Sequence, residues 1–186
     1  MNIYNIAETT NVSGKCFDFI SESDIQNGSV LAKGSLAENE RNIYTAEIPA
    51  VGDEVFLAAD PAWSYEKGSP LAQNENRYII PAGKPFRVYG LIAANHDRFA
   101  VEDCGITPAE GSQSVSVGEY VGVDGTAVKL KSLGSTEPDD DSRGFIGKVI
   151  AEDCYGFIID TVSEGGAAAV GRKLTIEVIR NEKRGS

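Results

Sequence analysis

Along this chain apolar and polar residues alternate far more often than they repeat at helical spacing. Phe17 and Phe19 flank Asp18 in Cys16–Ile20, a period of two that places both rings on one face of a strand. The same pattern recurs in Asn42–Ile48, Glu54–Ala59, Lys84–Ile92, Arg98–Asp103 and Ser114–Val123. It continues in Thr126–Ser132, Phe145–Asp153, Gly156–Val162 and Lys173–Arg180, where Leu174, Ile176 and Val178 share a face. No apolar period of 3.6 lasts the length of an ordinary helix, and short helical turns are expected only at Ser21–Gln26 or Leu71–Asn76. Asn27-Gly28, Asp124-Gly125 and Gly165-Gly166 are turn signals. Asp124-Gly125 predicts a two-residue type I′ hairpin, which needs positive φ at both central positions.

The pattern predicts an all-β protein: antiparallel barrel or sandwich modules with long loops and little helix. Thr107–Ser114, rich in small residues, Pro and Gly, reads as a linker over 107–114. It would join an N-terminal β module (1–106) to a C-terminal one (115–186), with one continuous β domain as the alternative. Ile3, Tyr4 and Ile6 precede a polar turn and form either an extended N-terminal arm or an edge strand. Two polar excursions, Pro61–Arg77 and Gly134–Gly144, interrupt the strands. Ala100–Ile106 and Ile150–Phe157 share a Glu-Asp-Cys triplet at a strand end, a short echo compatible with duplicated hairpins.

Charge narrows the partners. The 186 residues carry 17 Lys and Arg against 28 Asp and Glu, a formal charge of −11. A nucleic-acid binder needs a basic footprint to displace counterions, so nucleic acid is not an expected partner. No apolar run reaches the ~20 residues of a membrane span, and Met1–Thr10 lacks the basic and apolar parts of a secretion signal. The charge is also uneven. Residues 172–186 hold five cations against two carboxylates, +3, which leaves −14 on residues 1–171. Such polarity can attract an acidic surface or another copy of the same body, but asymmetry of this size is also common by chance, and that is the preferred reading.

Candidate chemistry is sparse, with one His and three Cys in the whole chain. Cys16, Cys104 and Cys154 have no C-x-x-C spacing and read as reduced, small apolar residues. His96 beside Asp97 resembles a dyad on paper, but neighbours in a loop seldom face each other and no nucleophile elbow accompanies them. Asp139-Asp140-Asp141 lacks the spaced ligands of a calcium loop and reads as a solvated tip. Neither nucleotide-binding glycine pattern occurs. The expectation is no catalysis, no cofactor and no metal. Trp63 and Tyr65 in the Pro61–Arg77 loop either fold back to cap the core, the commoner fate of a lone Trp, or serve as contact residues, in a carbohydrate platform or a protein-contact hot spot.

Asp24–Ser35, Arg41–Ala50, Glu54–Glu66, Phe86–Leu91 and Asp97–Thr107 together resemble capsid decoration or head-fibre-associated proteins of tailed phages. Val117–Ser132 and Phe145–Val162 are similar to barrel hairpins of such proteins. The resemblance implies a structural virion protein, made in the host cytoplasm and carried on the capsid surface to decorate or stabilise the head. It implies the major capsid protein as partner, without catalytic residues. A homo-oligomer is the expectation, with a trimer natural at threefold positions. Trp63, Tyr65, Ile3, Tyr4 and Ile6 are the contact candidates. A ligand-binding β module, such as a carbohydrate-binding domain using Trp63 and Tyr65, is the alternative function.

Overall fold

The computed structural model describes residues 7–60, 79–139, 141–159 and 168–184. Its strands are β1 (Ala7–Asn11), β2 (Cys16–Ile20), β3 (Ile25–Gln26), β4 (Val30–Leu36), β5 (Ile43–Glu47), β6 (Phe56–Ala58) and β7 (Ile79–Ile80). They continue as β8 (Pro85–Gly90), β9 (Arg98–Glu102), β10 (Ile106–Thr107), β11 (Tyr120–Val123), β12 (Leu130–Gly134), β13 (Phe145–Ile159) and β14 (Ala168–Asn181). The all-β expectation holds: helix among the described residues is limited to one-turn 3-10 segments at Ala93–Asn95 and Asp103–Gly105. Ser21–Gln26 makes no helical turn. It bends and enters β3, which pairs with β7 through Ile25 and Ile80.

Five strands close a barrel in the order β2-β5-β4-β6-β8. Alternation explains its interior. Phe19, Leu31, Phe56, Phe86 and Val88 are buried inside it, with Phe19 and Phe56 ring centroids 5.4 Å apart. Seven strands form an open sheet in the order β1-β9-β14-β13-β11-β12-β10. Its core joins Phe99, Phe145, Leu174, Ile176 and Val178 to Val30, Val55, Leu57 and Leu91 of the barrel side, so an apolar core lies between the two sheets, distinct from the barrel's own interior.

The segment 107–114 therefore does not separate two sheets. Ile106 pairs with Leu130 and Arg98–Glu102 with Lys173–Glu177, so strands before the segment complete the sheet built after it. The passage from barrel to open sheet falls instead between Gly90 and Arg98. At the other edge, Ala7 and Glu8 pair with Val101 and Ala100, making residues 7–11 an edge strand rather than part of a free arm. Ile3, Tyr4 and Ile6 lie outside the described residues.

Polar clasps hold the barrel to the sheet. Asn181 Nδ2 donates to the Val55 and Leu91 carbonyls at 2.9 and 3.0 Å, and its Oδ1 accepts from Val55 N at 2.8 Å. Gly144 permits a close approach nearby: its N–H donates to Val51 O at 2.9 Å, and a Cβ there would fall on the Gly52 and Asp53 carbonyls. The Asp124-Gly125 signal meets a different fate. Gly125 has φ +82° but Asp124 does not share the positive region, and a loop over 124–129 replaces the two-residue turn. The reason is tertiary: Val128 packs on the barrel core and its carbonyl accepts from Val30 N at 3.0 Å.

Candidate functional site

A concavity lies at the mouth of the barrel. Its cause is a mismatch of strand lengths. β2 and β5 run parallel from Asp18–Ile43 to Ile20–Thr45, where β2 stops. The chain then turns away through Ser21–Asp24, held by Gly83 N–H donating to Ser21 O at 2.8 Å and Ala82 N–H donating to Asp24 Oδ1 at 2.9 Å. β5 runs on to Glu47 without β2 beside it. A groove of about 860 Å³ opens in the gap, within the size range of ligand sites. Ile20, Ile25, Leu31, Ala46 and Val128 supply its apolar wall, while Glu22, Asp24, Glu38 and Glu47 supply carboxylates. Ile48, at the groove, is 57% exposed.

A second cleft, about 370 Å³, lies beside the first Glu-Asp-Cys triplet and is lined by Asp103, Cys104, Thr107, Gln113 and Lys129 among others. Next to it, Glu102 is buried at the end of β9. The Cys104 thiol donates to Glu102 Oε2 at 3.6 Å, and Oε1 has no partner among the described residues. Burial, with the Asp103 charge adding to it, pushes the Glu102 carboxyl from 4.5 up to about 7, against the opposing thiol contact. Burial, then the Glu102 carboxylate, pushes the Cys104 thiol to about 12. A thiol held there is protonated at neutral pH, so this pair does not constitute an activated nucleophile.

The sequence echo has a geometric meaning at this place. β9 and β13 flank β14 on opposite sides, with Lys173 opposite both Glu102 and Asp153. Arg172 reaches across both triplets: Nε donates to Glu152 Oε1 at 2.7 Å and Nη1 to Asp103 Oδ2 at 3.2 Å. Its third donor, Nη2, binds Val115 O at 3.0 Å. The two triplets are thus the acidic flanks of one basic stretch of β14.

Other candidates from the sequence are placed as follows. His96 is exposed, in a left-handed turn at φ 52°, with Nδ1 3.1 Å from Glu177 Oε1. Asp97 faces away from it, buried, accepting from the Ser13 and Ile92 backbone N–H groups at 3.1 and 2.8 Å and from the Ser13 hydroxyl. The two make no dyad. Asp141 lies 3.7 Å from Arg180, Asp139 is exposed, and Asp140 lies outside the described residues. Among the described residues no group of three or more His, Cys, Asp and Glu is arranged to hold a metal ion. Trp63, Tyr65 and the Gly165-Gly166 turn also lie outside the described residues. In comparisons with family models, curated proteins and solved structures, no match is found.

One further element departs from the body. β13 and β14 pair from Phe145–Asn181 out to Ile159–Ala168. The other neighbours end early: β11 pairs with β13 only at Ile146–Lys148, and β9 with β14 only at Lys173–Glu177. From Cys154 and Arg172 outward the pair is a two-stranded ribbon with no strand on either flank among the described residues, extending roughly 20 Å at ~3.3 Å per residue. The sequence pattern predicts two strands here, Phe145–Asp153 and Gly156–Val162. In the structure Gly156 sits in the register shift between Tyr155 and Phe157, a bulge inside one continuous strand.

Proposed function

We propose that this chain is a structural, non-catalytic virion protein that docks on the outer surface of a tailed-phage head to decorate or stabilise it. Its partner is then the major capsid protein, and it acts as a homo-oligomer, a trimer where the capsid axis is threefold. The observation that carries the reading is the β13–β14 ribbon. An isolated two-stranded ribbon is marginal in water and gains stability by lying on another surface. The sequence of Cys154–Gly171 has only Asp160 and Glu164 as charged residues, as befits a segment covered in an assembly. Ionisable groups at the two ends of β9 fit this too. Asp97 joins chain segments, and the Cys104 thiol, protonated beside Glu102, offers no nucleophile. An accessory subunit needs no more: surface buried across capsid junctions stabilises the assembled state by mass action.

The test is direct. Purified undecorated heads are incubated with the protein and imaged. The expected result is added density at symmetry-related positions, whose symmetry reads the number of copies, together with a higher temperature of head rupture. Heads that gain no density at saturating protein overturn the proposal.

A further inference from the structure

The barrel-mouth groove combines two properties seldom left together on a free surface. Its wall is apolar, from Ile20, Ile25, Leu31, Ala46 and Val128, and Ile48 stands 57% exposed beside it. Its carboxylates, Glu22, Asp24, Glu38 and Glu47, all carry the same sign. Even counting Lys84, next in sequence to the lining Gly83, the groove keeps an excess of negative charge. Glu22, Glu38 and Glu47 make no ion pair among the described residues, and Asp24 is held by a backbone N–H rather than by a cation.

The backbone adds a third property. β5 loses β2 as a neighbour after Thr45, so among the described residues the flank of Ala46 and Glu47 toward the groove has no strand on it. A strand flank of that kind accepts an extended segment through main-chain hydrogen bonds, with alternate side chains turned to the wall.

From these three we infer that the groove docks an extended polypeptide segment that alternates branched apolar residues with lysine or arginine. The apolar side chains enter the wall beside Ile48, and the cations meet Glu22, Glu38 and Glu47. Charge complementarity selects this occupant over an acidic or neutral one, and over a second acidic body of this chain. The inference rests on the docking reading above only for where such a segment is found, namely on the capsid partner.

The experiment uses the whole chain and two fluorescent peptides, acetyl-Lys-Val-Lys-Ile-Arg-amide and its counterpart with glutamate at the three charged positions. The expected result is binding of the cationic peptide at least about tenfold tighter than the acidic one, weakening about threefold or more between 50 and 300 mM salt. The variant carrying Glu22→Gln, Glu38→Gln and Glu47→Gln loses at least about fivefold and most of the salt dependence. Ile48→Ser, at an exposed position that leaves the fold intact and the charge unchanged, loses binding of comparable size while its circular dichroism and melting temperature stay unchanged. Equal affinity for the two peptides, or variants that bind the cationic peptide as the parent does, overturns the inference. Head binding separates the two readings. Heads decorated by the parent and by both variants alike remove the groove but keep the docking role. Groove-dependent peptide binding with undecorated heads does the reverse.

Discussion

Two carboxylates bracket β9 and are buried to nearly the same degree, Asp97 1% exposed at its start and Glu102 2% exposed at its end. Their surroundings differ completely. Asp97 receives three donors, two of them backbone N–H groups from chain segments that connect the barrel to the open sheet. Glu102 receives one weak thiol donor and leaves Oε1 without a partner among the described residues. Equal burial therefore has opposite consequences. A carboxylate with its lone pairs filled is a joint, whereas one left partly unsatisfied is a liability that protonation relieves. The contrast predicts that substitutions at the two ends of one strand act with opposite signs.

The largest effect is expected at Asp97. Asp97→Ala leaves the N–H groups of Ser13 and Ile92 unpaired and lowers stability by about 3–4 kcal/mol in urea unfolding. Asp97→Asn keeps part of the acceptor set and loses less. An Asp97→Ala variant within about 1 kcal/mol of the parent removes the joint from the account. Asn181 comes next. Asn181→Ala breaks three hydrogen bonds to Val55 and Leu91, an expected loss of about 2–3 kcal/mol. Asn181→Asp is no rescue, because a carboxylate cannot donate to the Val55 and Leu91 carbonyls; stability equal to the parent sinks the two-carbonyl clasp.

These joints also mark the limit of what the sequence makes legible. β2 begins and ends at Cys16 and Ile20 as the alternation predicts, because a half-buried strand writes its burial into every second residue. The inward face of β14 is readable for the same reason, whereas β9 is buried along Phe99–Glu102 without alternation. The Asp124-Gly125 turn failed because Val128 is recruited by the barrel, a tertiary demand that outweighs a local turn preference. Asp97 and Asn181 are not legible as joints: Ser13 lies 84 residues from Asp97 and Val55 lies 126 from Asn181, and no periodicity connects them. The groove was hidden for a related reason. It exists only because β2 ends before β5 does, a relation between two strands rather than a motif within either. The Glu-Asp-Cys echo was visible, but its meaning depends on both triplets flanking β14.

Glu102 sharpens the contrast through pH. Its folded value of about 7 lies above the ordinary 4.5, so the folded state binds the extra proton. The stability linked to that proton is complete below pH 4.5 and is lost as pH rises through about 7. Glu102→Gln is therefore expected to stabilise the protein at pH 8 by about 1–3 kcal/mol, to be near neutral at pH 5, and to flatten the fall between them. A variant less stable than the parent at pH 8 shows that Oε1 has a partner after all, and the contrast with Asp97 collapses.

The smallest effect belongs to Arg172, which tests whether the two triplets act as one unit. Its guanidinium reaches Glu152 from one flank of β14 and Asp103 from the other, and the Glu152 hydrogen bond leads the causes that raise its pKa. Both carboxylates are about one-third exposed, so solvent screens the pairs and their worth is modest. Arg172→Gln is expected to lower the melting temperature by about 2–4 °C at low salt and by less at 0.5 M salt. Adding Asp103→Asn to that variant should cost almost nothing more, because the cation both substitutions act on is already gone. If the two losses add in full, the triplets are independent neighbours of β14, and their shared spelling reflects strand ends rather than one ion-paired joint.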